Sequence, residues 1–146
     1  MAQRKEMLAS GRGHAWRLDV GMAIALTGPL MWLDRRQGII HSRPELLGDV
    51  ILARKDISTS YHLAVTVDDA AQGVTLVTRG EDLFNSTHVH RLLQALLNLP
   101  VPEWEHHGLI CDETGKRLAK RDHARSLQSL REAGWTAEQV RKISLP

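Results

Sequence analysis

The sequence predicts an α/β fold built around a mostly parallel sheet. Two observations carry that expectation. VTLVTRG, STHVHRLLQALLNLP and EWEHHGLICD follow one another as strand, helix and strand, the order that a parallel pair with a crossover helix requires. In addition, YHLAVTVDD and VTLVTRG are β-branched and nearly continuous in apolar character, as strands covered on both faces are. At 146 residues, 42% hydrophobic and 25% charged, the chain has the length for one domain with its own core.

The elements follow in order. Residues 1–14 are a polar, glycine-containing chain start. AWRLDVGMAIALTG predicts a helix, with Trp16, Val20, Ala23, Ala25 and Leu26 at helical spacing and Gly28-Pro29 as its stop. LMWLD, RRQG and II predict two short strands around a turn, and ELLGDVILARKD a helical turn followed by a strand over about Asp49–Lys55. Tyr61 opens the YHLAVTVDD strand, DDAAQG breaks it, and Arg79 ends the next strand. Ser86 or Thr87 then caps a helix whose Val89, Leu92, Leu93, Leu96 and Leu97 form one apolar stripe, closed by Pro100. The α/β body thus runs over 15–111, a basic loop over 112–125 and a short helical end over 126–146. In that end SLQSLREAG is one helix, and Thr136 with Gln139 makes a capping box for a second, TAEQVRKIS.

Composition narrows the function classes. Formal net charge is only +2, but Lys116, Arg117, Lys120, Arg121 and Arg125 stand together against the single acid Asp122. A lone cysteine, Cys111, allows neither an internal disulfide nor a cysteine-based zinc site, and fits a reducing cytoplasm. MAQRKEMLASGRG lacks the apolar run of a secretory signal, and no apolar stretch is long enough to cross a bilayer, so the chain is expected to be cytoplasmic and free of the membrane. Eight histidines do not make a metal site. His88 and His90 lie two apart on a helix, His106 and His107 are adjacent on a strand, and each pair diverges. G-x-S-x-G, Walker and G-x-G-x-x-G motifs are all missing, which removes generic hydrolase and P-loop readings.

Three features remain as candidate chemistry. GKRLAKRD (115–122) is either a solvated loop or a mobile arm for a triphosphate, whose charge lysine ammonium groups can follow. Arg79, at the carboxyl end of a strand, either grips a carboxylate with its planar fork or pairs structurally with Asp68, Asp69 or Glu81. Tyr61, the only tyrosine, either offers its hydroxyl to a ligand or is a core residue with one satisfied hydroxyl.

SYHLAVTVDDAAQGVTLVTRGEDLFNSTHVHRLLQALL, followed after about twenty residues by GKRLAKRD, resembles the class I glutamyl-tRNA synthetases. It looks closest to their short paralogue, glutamyl-queuosine tRNA(Asp) synthetase. The resemblance covers nearly everything from Ala15 to Ser144. It implies the second half of a Rossmann-like catalytic domain, and a ligase that activates L-glutamate with ATP and Mg2+ and attaches it to the queuosine of tRNA(Asp). It also implies roles. Tyr61 and Arg79 match the family's glutamate-binding tyrosine and arginine. Arg117, Leu118, Ala119, Lys120 and Arg121 match its K-M-S-K-S loop, and Lys120 matches the second, ATP-contacting lysine. Arg117 stands for the first lysine and keeps its charge, while Ala119 stands for serine and removes a hydroxyl.

The family's H-I-G-H strand and loop, which open a helix receiving ATP phosphates, do not precede Ala15, and neither do the front-half glutamate ligands or the cysteine-ligated zinc insert. GRGHA (11–15) has no apolar strand ahead of it, and HHGL (106–109) lies inside a strand pattern. The chain is therefore expected to be an incomplete ligase, with a missing N-terminal half as a partner and no zinc of its own. The alternative is a non-catalytic fragment that binds tRNA or a partner protein.

Overall fold

A computed structural model of the chain describes residues 6, 9–10, 13–54, 56, 58–111 and 126–144. The chain divides into two compact units, Met1–His107 and Gly108–Pro146.

In the larger unit the elements run β1 (Ala15–Leu18), α1 (Val20–Thr27), β2 (Met31–Asp34), β3 (Gly38–His41), a tight helical turn (Pro44–Leu47) and β4 (Val50–Arg54). They continue with α2 (Tyr61–Ala71), β5 (Leu76–Gly80), a second tight turn (Glu81–Leu83), α3 (Phe84–Leu96) and β6 (Glu103–His107). β5 and β6 pair in parallel across the crossover helix α3, as the strand–helix–strand order predicts. β6 also pairs in parallel with β2, and the β2–β3 hairpin completes a sheet of order β3-β2-β6-β5. β1 and β4 form a separate antiparallel ribbon. The fold is the expected mixed α/β class.

Three expectations are corrected. Tyr61–Ala71 is the helix α2, not a strand. Ser60 stays extended and its hydroxyl accepts from the Leu63 N–H at 3.4 Å, which starts the helix. The Thr66 hydroxyl donates to the His62 carbonyl at 2.8 Å, one turn back, so the β-branched run is accommodated. Ala15–Leu18 is a strand, not the start of the first helix. Asp19 caps α1 by accepting from Met22 N–H at 2.8 Å, and a cap residue must be extended, so the chain before it is free to pair with β4. Ser86 and Thr87 do not cap α3, because the turn at Glu81–Leu83 feeds directly into Phe84, whose N–H donates to the Glu81 carbonyl. Both lie inside α3, and Thr87 is fully enclosed.

The predicted apolar stripe of α3 makes the core. Leu92 packs with Val20 and Ala23 of α1, and Val89 and Leu93 pack with Val50 of β4. Leu97 lies beyond the helix and is exposed. On the sheet, the buried rings of Trp32 and Trp104 meet edge to face at 5.4 Å. Burying such side chains stabilises the unit by roughly 1.5–3 kcal/mol each.

In the smaller unit, α4 (Leu127–Glu132) is capped by Ser126, and α5 (Ala137–Ser144) follows. The predicted capping box is present: Thr136 N–H donates to Gln139 Oε1 at 2.8 Å, and Gln139 N–H to Thr136 Oγ1 at 3.2 Å. Among the described residues, no helix is long and apolar enough to cross a membrane.

Candidate functional site

Arg79 lies in β5 with its side chain turned inward and only 9% exposed. The guanidinium meets three neutral groups. Nε donates to His106 Nε2 at 3.2 Å, Nη1 to His90 Nδ1 at 3.3 Å, and Nη2 to the Thr87 hydroxyl. No ion pair among the described residues involves Arg79, so the expected alternative pairing with Asp68, Asp69 or Glu81 is not formed. Burial lowers its pKa below the ordinary arginine value. Its contact with the Tyr61 hydroxyl and the Asp69 and Asp82 carboxylates act the other way. An arginine remains a cation under that balance.

Tyr61 is the first residue of α2 and is half exposed, so it is not a core tyrosine. Its ring lies 5.7 Å from that of His90. A cleft of about 600 Å³ opens beside it, lined by Ser60, Thr59 and His62 on one side and by Arg17 and Arg54 of the β1–β4 ribbon on the other. Arg79 does not line this cleft, but it and Tyr61 both meet His90, so the two residues are neighbours. Lys120 and its neighbours Arg117, Leu118, Ala119 and Arg121 lie outside the described residues.

Behind Arg79 runs a buried polar network that sequence reasoning missed. Asp34 Oδ2 and His106 Nδ1 are 2.6 Å apart with both side chains fully enclosed. Burial alone would raise the Asp34 pKa, but the His106 imidazole and three backbone N–H groups outweigh it and hold the carboxyl below the usual range. His90 Nε2 and His62 Nδ1 are 3.0 Å apart, which extends the network to α2. His88, on another side of α3, instead accepts from Trp32 Nε1 at 3.4 Å and from the Arg43 N–H at 3.2 Å. His88 and His90 do point apart, as expected of residues two apart on a helix. Among the described residues, no group of three or more histidine, cysteine, aspartate or glutamate side chains could hold a metal ion. The one available signal was the pattern of EWEHH, which puts Trp104 and His106 on the same buried face of β6.

The site's residues belong to segments shared with known proteins. The family model for the catalytic domain of class I tRNA synthetases (E and Q) matches residues 2–143. A glutamyl-Q tRNA(Asp) synthetase from Rhodobacter capsulatus is 51% identical over 133 residues, covering 88% of this chain and 48% of that protein. A second, from Nocardia farcinica, is 51% identical over 139 residues, covering 95% of this chain and 42% of its own length. A glutamate–tRNA ligase from Oleidesulfovibrio alaskensis is 39% identical over 131 residues, covering 90% and 27%. The crystal structure of a glutamate tRNA ligase from Elizabethkingia meningosepticum, in complex with its amino acid, superposes with a TM-score of 0.65 at 28% identity, covering 83% of this chain and 24% of that one. The chain therefore spans about half, or less, of the length of these relatives. The match runs through nearly all of its residues, and the chain belongs to the class I tRNA synthetases of the glutamate and glutamine group, within their catalytic domain.

Proposed function

We propose that this chain is part of a cytoplasmic ligase that activates L-glutamate with ATP and transfers it to tRNA, with the queuosine of tRNA(Asp) as acceptor. The observation that carries this reading is Arg79, a buried guanidinium whose hydrogen-bonded partners are neutral, beside a half-exposed Tyr61. Among the described residues no carboxylate is in direct contact with this cation, Asp69 and Asp82 acting on it only by charge, and a substrate carboxylate would supply a direct partner. The planar fork suits a carboxylate, and the Tyr61 hydroxyl can add a further hydrogen bond. In this proposal Tyr61 and Arg79 hold glutamate. Arg117, Leu118, Ala119, Lys120 and Arg121 form the loop for ATP, taken as its magnesium complex, and Lys120 follows the charge on the departing pyrophosphate. The choice of acceptor is supported by identity: the two relatives named glutamyl-Q tRNA(Asp) synthetase reach 51%, the glutamate–tRNA ligase 39%.

Glutamate-dependent ATP–pyrophosphate exchange tests the proposal, measured on the chain alone and on the chain supplied with the remaining length of the Rhodobacter capsulatus relative. The expected result is exchange in at least the second case, abolished by Arg79→Ala, with glutamate passed to tRNA(Asp) only when it carries queuosine. No exchange in either case overturns the ligase reading. Salt-sensitive tRNA binding without exchange would make the chain a binding module instead.

A further inference from the structure

Three side chains lie side by side across three adjacent strands. Asp34 ends β2, His106 stands in β6, and Arg79 is the register partner of His106 in β5. Their hydrogen bonds have a direction. Asp34 Oδ1 accepts from the backbone N–H groups of Arg36 and Gln37 at 2.9 and 3.0 Å. Its Oδ2 faces His106 Nδ1 at 2.6 Å and accepts from the His106 backbone N–H at 3.3 Å. Three backbone N–H donors converging on one enclosed carboxylate keep it ionised. An ionised carboxylate has no proton to give, so the proton of that contact is on His106 Nδ1. In a neutral imidazole the other nitrogen is then an acceptor. Arg79 uses it: its Nε–H points at His106 Nε2 from 3.2 Å. The opposite tautomer would set N–H against N–H.

We infer that Asp34 is a positioning residue for Arg79: by fixing the tautomer of His106, it aims the guanidinium at a ligand carboxylate that Asp34 itself never touches. The effect on glutamate rests on the reading of Arg79 under Proposed function, whereas the tautomer and the orientation of Arg79 do not. A buried carboxylate that sets a neighbouring imidazole's tautomer acts at a distance of one ring, and exchanging it for an amide reverses the proton without changing the shape.

Long-range proton–nitrogen correlation spectra of the whole chain read the tautomer directly. His106 is expected to be protonated at Nδ1 in the wild type. In Asp34→Asn the amide oxygen keeps the Arg36 and Gln37 N–H groups, while its NH2 faces His106 and gives up the long 3.3 Å bond from the His106 backbone N–H. The imidazole proton should then move to Nε2, and the Arg79 Nε–H signal should shift or broaden. Titrated L-glutamate should bind Asp34→Asn about tenfold or more weakly, the scale of one hydrogen bond to a charged group. Two results overturn the inference: a wild-type His106 protonated at Nε2, or an Asp34→Asn chain whose His106 and Arg79 signals match the wild type. If Asp34→Asn does not fold, the wild-type tautomer alone decides. L-glutamate that leaves the wild-type Arg79 signal unmoved would count against the glutamate site, while the tautomer result still decides the role of Asp34.

Discussion

His62 Nδ1 and His90 Nε2 stand 3.0 Å apart, two imidazoles on different helices within hydrogen-bond distance, with the Arg79 guanidinium on the far nitrogen of His90. Burial first, and then the charge of Arg79, lower the pKa of His90 to about 3, and the same two causes lower that of His62. Burial lowers those of His88 and His106 as well. Below about pH 6.5 the unfolded chain protonates these rings and the folded chain resists, so the unfolded state binds more protons. Stability is therefore expected to fall as pH drops from about 6.5 toward the folded value of His90. Urea unfolding across that range should show the fall, and His90→Gln should flatten it by up to about 1.4 kcal/mol per pH unit. An unchanged slope in that variant would contradict the shift.

Tyr61→Phe separates site from scaffold. The ring is half exposed and keeps its packing, so removing the hydroxyl should lower unfolding free energy by no more than its one hydrogen bond to Arg79, about 1.5 kcal/mol. Glutamate binding, followed by calorimetry, should weaken about tenfold, because a hydrogen bond beside the Arg79 charge is lost. Equal affinity in the two proteins would remove Tyr61 from the proposed site.

Ser60→Ala should destabilise the larger unit by about 1 kcal/mol through loss of the α2 cap. The same change loosens the first turn, which carries Tyr61 and His62. Amide exchange in that turn should speed up more than in α3. Uniform loosening of both helices would mean that the cap has no local effect.

Leu92→Ala should cost about 3 kcal/mol. Leu92 is fully enclosed against the Val20–Ala23 face of α1, in a cluster that Leu18, Ile24, Leu30 and Leu96 complete. Denaturant midpoints give the value. A loss below about 1 kcal/mol would mean that α1 shifts to close the gap.

Much of the fold was legible where local chemistry and tertiary structure agree. The RRQG turn, the strand at Leu76–Gly80, the α3 stripe, β6 and the Thr136–Gln139 box each carry their own signal. Misreadings arose where a single cap outweighs a run of propensity. A serine cap marks the start of a helix in the β-branched Tyr61 segment, which packs against α3, and Asp19 divides an apparently continuous helix into a strand and a helix. Tyr61 and Arg79 were singled out through the resemblance of their segments to a known family, and in the fold both contact His90. Asp34 and His106 were not, because they are 72 positions apart and only the parallel pairing of β2 with β6 brings them together.

Asp34 also has a second duty, since its Oδ1 closes the β2–β3 turn through Arg36 and Gln37. The length of that surface loop is thereby tied to the chemistry of an interior arginine. Inserting even one residue between Arg35 and Gly38 would swing the carboxylate, so this hairpin tip is a poor place for tags, grafts or permutation even though its neighbours face solvent.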